Sequence, residues 1–211
     1  MNNLKKFETE ADYSAATLNY PAVSWVVSGD TVHYDKQAPR PSVPAVKVAF
    51  TTDSCVSDNV ILAGDAGILD IVSAITVNGV DFEPLDSNMF LTVSVNTDYL
   101  IEYELMDDAT DMGYQFSHVS THMGCASEPI LYDILFPEQV TNIGSLNTDQ
   151  INNIIILAET PPTVEFNSSG HGEGFVYVPD ASVNSYITAW HAACMDDLIK
   201  PISEYQGNLP I

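Results

Sequence analysis

Positive charge is the scarcest commodity in this chain. Its 211 residues include 6 Lys and Arg against 29 Asp and Glu, a formal charge of -23. The six are Lys5, Lys6, Lys36, Arg40, Lys47 and Lys200, so the 152 consecutive residues between the last two carry neither. Binding a nucleic-acid backbone requires clustered Lys or Arg to displace counterions. Gripping a nucleotide phosphate or an anionic lipid headgroup needs the same sign of charge. Beyond Lys47 the chain repels all of these, so neither nucleic acid nor a membrane surface is expected as a partner. Solubility, cation attraction, and partners that are neutral or positive remain.

Long apolar runs are also lacking. No segment approaches the roughly 18 uninterrupted apolar residues of a membrane-spanning helix. The opening Met1–Glu10 has a small basic stretch at Lys5-Lys6, followed by an acidic, helix-like segment where a secretory signal would place its apolar region. It does not read as a signal peptide. Cysteine is sparse: Cys55, Cys125 and Cys194 are odd in number, widely spaced and form no C-x-x-C pair. They read as free, half-buried thiols of a protein made in a reducing cytoplasm, with pairing across subunits left open.

What the chain does have is a normal share of hydrophobic residues, 45%, enough for a packed core. Its organisation reads as three units and a linker. In residues 1–36, Thr9-x-x-Asp12 marks a helix start, Tyr13, Ala16 and Tyr20 follow at helical spacing, and Pro21 stops the helix. Two short β-runs, Val23–Ser28 and Thr31–Tyr34, then flank Gly29-Asp30, a hairpin signal. A helix and one hairpin are marginal alone. Phe7, Tyr13, Tyr20, Trp25 and Tyr34 therefore read as anchors docking this unit into a partner, because Tyr and Trp dominate interface hot spots. A local core under the hairpin is the alternative.

Residues 37–44 hold three prolines and read as a semi-rigid spacer. Residues 45–106 read as a small antiparallel β-sandwich-like domain. Asn78-Gly79 between Ile75–Val77 and Val80–Phe82 is the strongest short hairpin signal. Leu91, Val93 and Val95, then Tyr99, Ile101, Tyr103 and Leu105, alternate with polar residues, the mark of a sheet with one buried face. In residues 107–211, strands are expected at 130–136, 151–157 and 175–178. A helix follows from Asp180 or Ser182 to about Cys194, carried by Val183, Tyr186, Ile187 and Trp190, and a final strand or cap lies at 199–202. The expected class is mainly β with a few short helices.

Phe136-Pro137-Glu138-Gln139-Val140-Thr141-Asn142-Ile143-Gly144 resembles the "IPxxVTxIG" unit of BspA-type leucine-rich repeats. Met112-Gly113-Tyr114-Gln115-Phe116 is similar to the "IGxxAF" piece of a preceding repeat, and Ile154–Pro162 to the exit of such an array. Val176–Tyr186, with Trp190 and Ile199–Ile202, resembles the family's C-terminal cap. Solenoid repeats bury their apolar edges only against neighbours and end in atypical caps. One or two repeats are too few to stand alone, so the β-domain or an oligomer partner must supply stacking surface. The opening pattern Lys6-Phe7, Tyr13-x-x-Ala16, Pro21-Ala22-Val23-Ser24, Val32-His33-Tyr34 resembles the leader of virion fibre and surface proteins of tailed phages of gut Bacteroidetes.

Candidate chemistry is thin. His118-x-x-x-His122 has metal-pair spacing on a helix but no intervening Glu, and reads as two loop histidines. Asp107-Asp108-x-x-Asp111 lacks the glycine and closing glutamate of a calcium loop and reads as a solvated acidic turn. Ser168–Gly174 is Gly-rich without Lys or a following helix, so it reads as a flexible loop rather than a phosphate cradle. No nucleophile elbow, zincin motif or singled-out carboxylate pair is present. No catalytic residue, metal or cofactor is expected.

The resemblances imply a non-enzymatic structural protein of a tailed-phage virion: a head fibre, capsid decoration or tail-fibre component. Its partners would be capsid, tail or fibre proteins and further copies of itself, as a trimer or dimer. Its acidic distal domain would face outward, toward a host-surface glycan or protein. The competing expectation is a bacterial BspA-like adhesion module acting as a monomer.

Overall fold

The computed structural model describes residues 25–28, 31–34, 43–52, 60–62, 66–83, 90–113, 115–116, 131–146, 151–166, 174–191 and 196–211. The chain divides into two compact units, Met1–Val43 and Pro44–Ile211. In the first, β1 (Trp25–Ser28) pairs antiparallel with β2 (Thr31–Tyr34), Trp25 opposite Tyr34 and Ser28 opposite Thr31. The helix expected over residues 9–20 lies outside the described residues.

The second unit is mainly β, with one short α-helix among the described residues. Its strands are β3 (Ala45–Thr51), β4 (Val60–Leu62), β5 (Val72–Val77), β6 (Val80–Asp81), β7 (Phe90–Thr92), β8 (Asp98–Leu105) and β9 (Tyr132–Phe136). They continue with β10 (Asn142–Leu146), β11 (Ile151–Ile156), β12 (Thr163–Phe166), β13 (Phe175–Val178) and β14 (Ile199–Pro201). Helix α1 (Val183–Trp190) lies between the last two. One eight-stranded sheet runs β14-β13-β11-β9-β3-β8-β5-β6. It is continuous across residue 106, because β3 pairs antiparallel with β8 on one side and β9 on the other. Residues 45–106 and 107–211 thus share one sheet.

The two halves of this sheet differ in kind. From β3 to β6 every pairing is antiparallel. The β5–β6 turn places Asn78 and Gly79 at φ 51° and 75°, the left-handed pair that a two-residue type I′ hairpin requires. In β8, Ile101, Tyr103 and Leu105 are buried while their neighbours are partly exposed, as the period-two alternation predicts. The similar alternation at 91–95 ends early: Leu91 and Val93 are buried but Val95 is 45% exposed.

From β9 to β14 every pairing is parallel. Ile134, Ile154, Val176 and Ile199 stand side by side in register, at steps of 20, 22 and 23 residues. A second parallel ladder joins β10 to β12, and an isolated parallel bridge joins Asp111 to Asn142. β10 and β12 escaped the sequence reading, being short and only partly apolar. Within this second ladder Asp111-Met112-Gly113 repeats as Asn142-Ile143-Gly144. Met112 and Ile143 are both fully buried, and Gly113 and Gly144 have φ of 52° and 70°. The Asp111 carboxylate accepts hydrogen bonds from the Gly113 N–H at 2.8 Å and the Asn142 side-chain amide at 2.7 Å. Asn142 Oδ1 in turn accepts from the Gly144 N–H at 3.0 Å. A Cβ on Gly144 would run into the Gly113 carbonyl, so the two segments touch through glycine backbone.

The main core lies on one face of the sheet and takes residues from both halves, including Val48, Ile101, Tyr103, Ile134, Phe136, Ile154 and Val176. An edge-to-face row crosses it, Tyr103 to Phe116 at 5.3 Å and Phe116 to Phe136 at 6.0 Å. At the far end α1 closes the parallel half. The Tyr186 hydroxyl donates to the Ala158 carbonyl at 2.7 Å, and Trp190 Nε1 donates to the Pro162 carbonyl at 3.2 Å. α1 ends at Trp190, short of the expected Cys194; residues 192–195 are outside the described set.

Candidate functional site

The opposite face of the sheet holds the polar chemistry. It carries a small apolar cluster of Ala49, Leu135, Ile155, Tyr177 and Leu209, covered by the chain's last ten residues through Ile202, Tyr205 and Leu209. In the middle of this face sits Asp133, 7% exposed, on the central strand β9. β9 has partners on both sides and a covered surface on both faces, so all five of its residues are buried. A carboxylate there needs donors. It has three: the amides of Asn152 and Asn153 donate to Oδ1 at 2.8 and 2.9 Å, and the Tyr205 hydroxyl donates to Oδ2 at 2.6 Å.

The arrangement propagates into the C-terminal segment. Tyr205 Oη accepts the Leu209 N–H at 3.1 Å, and its ring meets Tyr177 edge-on at 5.1 Å. A Cβ on Gly207 would press against the Tyr205 hydroxyl and the Asp133 carboxylate, so the backbone passes closely over the pair. Burial, and after it the hydrogen bond to Asp133, push the Tyr205 hydroxyl well above its ordinary value. Burial likewise raises Tyr177, with the carboxylates of Asp133 and Glu204 adding to it. Both phenols stay protonated at neutral pH. Lys47 Nζ, 3.5 Å from Glu102, also donates to the Pro210 carbonyl at 3.4 Å.

Beside Asp133 opens a cavity of about 490 Å³. β3 and β8 contribute Ala49, Phe50, Thr51, Asp98, Tyr99 and Leu100. Asn78, Leu131, Asp133, Asn152 and Asn208 complete the lining. Thr51 donates its hydroxyl to Asp98 Oδ1 at 2.7 Å. The Asn78 side chain clamps the start of β8, donating to the Asp98 carbonyl at 3.1 Å and accepting the Leu100 N–H at 2.8 Å. Among the described residues, two carboxylates and no Lys or Arg line the cavity.

Sequence reasoning missed Asp133. The signal available was a lone acid inside an otherwise apolar run, Leu131-Tyr132-Asp133-Ile134-Leu135-Phe136, which demands a buried polar network. Of the residues expected to dock a partner, Phe7, Tyr13 and Tyr20 lie outside the described residues. Trp25 and Tyr34 are opposite positions in the backbone register of the β1–β2 pair. His118, His122, Cys55, Cys125, Cys194 and the Gly-rich stretch 168–173 also lie outside the described residues. Asp107 and Asp108 are exposed, whereas Asp111 is engaged in the second ladder. Among the described residues no three His, Cys, Asp or Glu side chains converge to hold a metal, and no helix is long and apolar enough to cross a membrane. No protein-family model, curated protein or solved structure matches this chain.

Proposed function

We propose that this chain is a structural protein of a tailed-phage virion, a head-fibre, decoration or tail-fibre component without enzymatic activity. Residues 1–36 form a helix–hairpin unit that docks to capsid, tail or fibre protein through Phe7, Tyr13, Tyr20, Trp25 and Tyr34. Residues 37–44 space the rest away from the particle. Residues 45–106 form the β-domain, and residues 107–211 a short BspA-like repeat with its cap. The observation that carries this reading is the resemblance of the leader to those of virion surface proteins. The repeat assignment draws support from the in-register parallel strands recurring every 20 to 23 residues, the geometry of a solenoid whose coils bury their edges on one another. The antiparallel pairing of β3 onto β9 supplies the stacking surface that so short an array lacks.

Charge supports the same polarity. Residues 1–43 hold four Lys and Arg against five acids, while residues 44–211 hold two against 24. A nearly neutral end suits docking, and a strongly acidic end suits display without clumping. Mass spectrometry of particles purified from a host lysate tests the assignment directly. The chain is expected as a stoichiometric particle component, and its absence from particles while present in the cell overturns the virion reading. Light scattering of the full chain gives the second test. A trimer or dimer fits a fibre, and a monomer favours the bacterial adhesion module.

A further inference from the structure

We propose that the cavity beside Asp133 is a binding site for a neutral, hydroxyl-rich ligand, a saccharide of one or two rings. Its volume of about 490 Å³ lies within the roughly 300–1,000 Å³ usual for small-molecule sites. An apolar wall comes from the cross-strand partners Ala49 and Leu100, and Leu131, 51% exposed, adds to the apolar lining. Such a wall matches the C–H face of a sugar ring. The polar lining matches its hydroxyls, which donate and accept at once. Asp98 Oδ2 and Asn152 Oδ1 accept no protein hydrogen bond among the described residues, and Asn208 adds an amide with both capacities.

These groups are held before any ligand arrives. The Asn152 amide is fixed by Asp133, Asp98 is fixed by Thr51, and Asn78 secures the backbone on which Asp98 sits. Pre-orientation lowers the ordering cost of binding. Charge then sorts the ligand classes. With Asp98 and Asp133 in the lining and no Lys or Arg among the described residues there, a phosphate, sulfate or carboxylate is repelled. Both oxygens of Asp133 already serve three donors, which leaves Asp98 Oδ2 as an acceptor for a ligand hydroxyl, and the diamine arm of the test separates a cation from it. Hydroxyl recognition uses what remains. The inference does not depend on the virion reading.

The test is a titration of the full ¹⁵N-labelled chain with glucose, galactose, mannose, N-acetylglucosamine, lactose and maltose, followed through the side-chain amides. Shifts confined to Asn78, Asn152 and Asn208 are expected with at least one sugar. Asn208→Ala and Asp98→Ala, both at exposed positions, should each weaken that affinity at least about tenfold while circular dichroism stays unchanged. Should Asp98→Ala fail to fold, Asn208→Ala decides alone. Three results overturn the proposal: no shift with any sugar, shifts that survive both substitutions, or shifts at these amides with the diamine putrescine in place of the sugars.

Discussion

Replacing Asp133 by Ala removes an acceptor that serves three donors at once. Hydrogen bonds to a charged group contribute about 1.5–3 kcal/mol each. The amide of Asn152 is exposed and turns to water at little cost, so the weight falls on the half-buried Asn153 and Tyr205. Two such bonds come to about 3–6 kcal/mol. Removing a nearly buried carboxylate also relieves its own desolvation, which offsets about 1–2 kcal/mol. The net expectation is a loss of about 1–5 kcal/mol in urea unfolding. A local signature should accompany it: hydrogen exchange at the Leu209 amide, which rests on Tyr205 Oη, should accelerate before global unfolding. The double-mutant cycle with Tyr205→Phe isolates the contact. Once Asp133 is gone the hydroxyl has no carboxylate to lose, so the two effects should fall short of additivity by about 1 kcal/mol or more. A cost for Asp133→Ala below about 0.5 kcal/mol, or a strictly additive double mutant, refutes the claim that this carboxylate fastens the C-terminal segment to the sheet.

Gly144→Ala should destabilise by more than about 2 kcal/mol, because Ala strains at positive φ and its Cβ meets the Gly113 carbonyl; an unchanged urea midpoint would contradict the stacked-glycine account. Tyr186→Phe leaves the buried Ala158 carbonyl without its donor and should cost about 1–3 kcal/mol, read as a fall in melting temperature. Burial raises the hydroxyls of Tyr103, Tyr132, Tyr186 and Tyr205 above the ordinary value of about 10. A raised acid keeps its proton longer when folded, so this contribution is whole below about pH 10 and is lost as pH climbs toward the folded-state values. Alkaline titration should therefore show the phenolate absorbance of these four appearing only with cooperative unfolding, and the full signal of all ten tyrosines near pH 10 with the fold intact would contradict the burial. Removing residues 1–36 should leave the number of chains per particle in solution unchanged if assembly resides in residues 44–211; dissociation to monomers on truncation would move the assembly contacts into the leader.

Much of this fold was legible because short-range chemistry dictates it. Asn78-Gly79 requires a tight turn wherever it sits, since few other pairs adopt two left-handed residues cheaply. The alternation through Tyr99–Leu105 specifies which face of β8 is buried, and the periodic Tyr186 and Trp190 specify the buried face of α1. Strands β9, β11 and β13 stood out as apolar runs between turn residues. Strands β10 and β12 did not, because their stability comes from a parallel ladder between segments about 20 residues apart rather than from their own residues.

By itself the sequence determined the sign and distribution of charge, the mainly β character, the hairpin turns and the closing helix. Each of these depends on residue identity and on neighbours a few positions away. Pairing partners depend on which distant strands bury each other's edges, and that only the tertiary structure decided. It joined β3 to both β8 and β9, making one sheet of two expected domains. It also brought Asp133, Asn153 and Tyr205 together across 72 residues of chain, because a carboxylate on a central strand must be answered by whatever donors the fold carries over it.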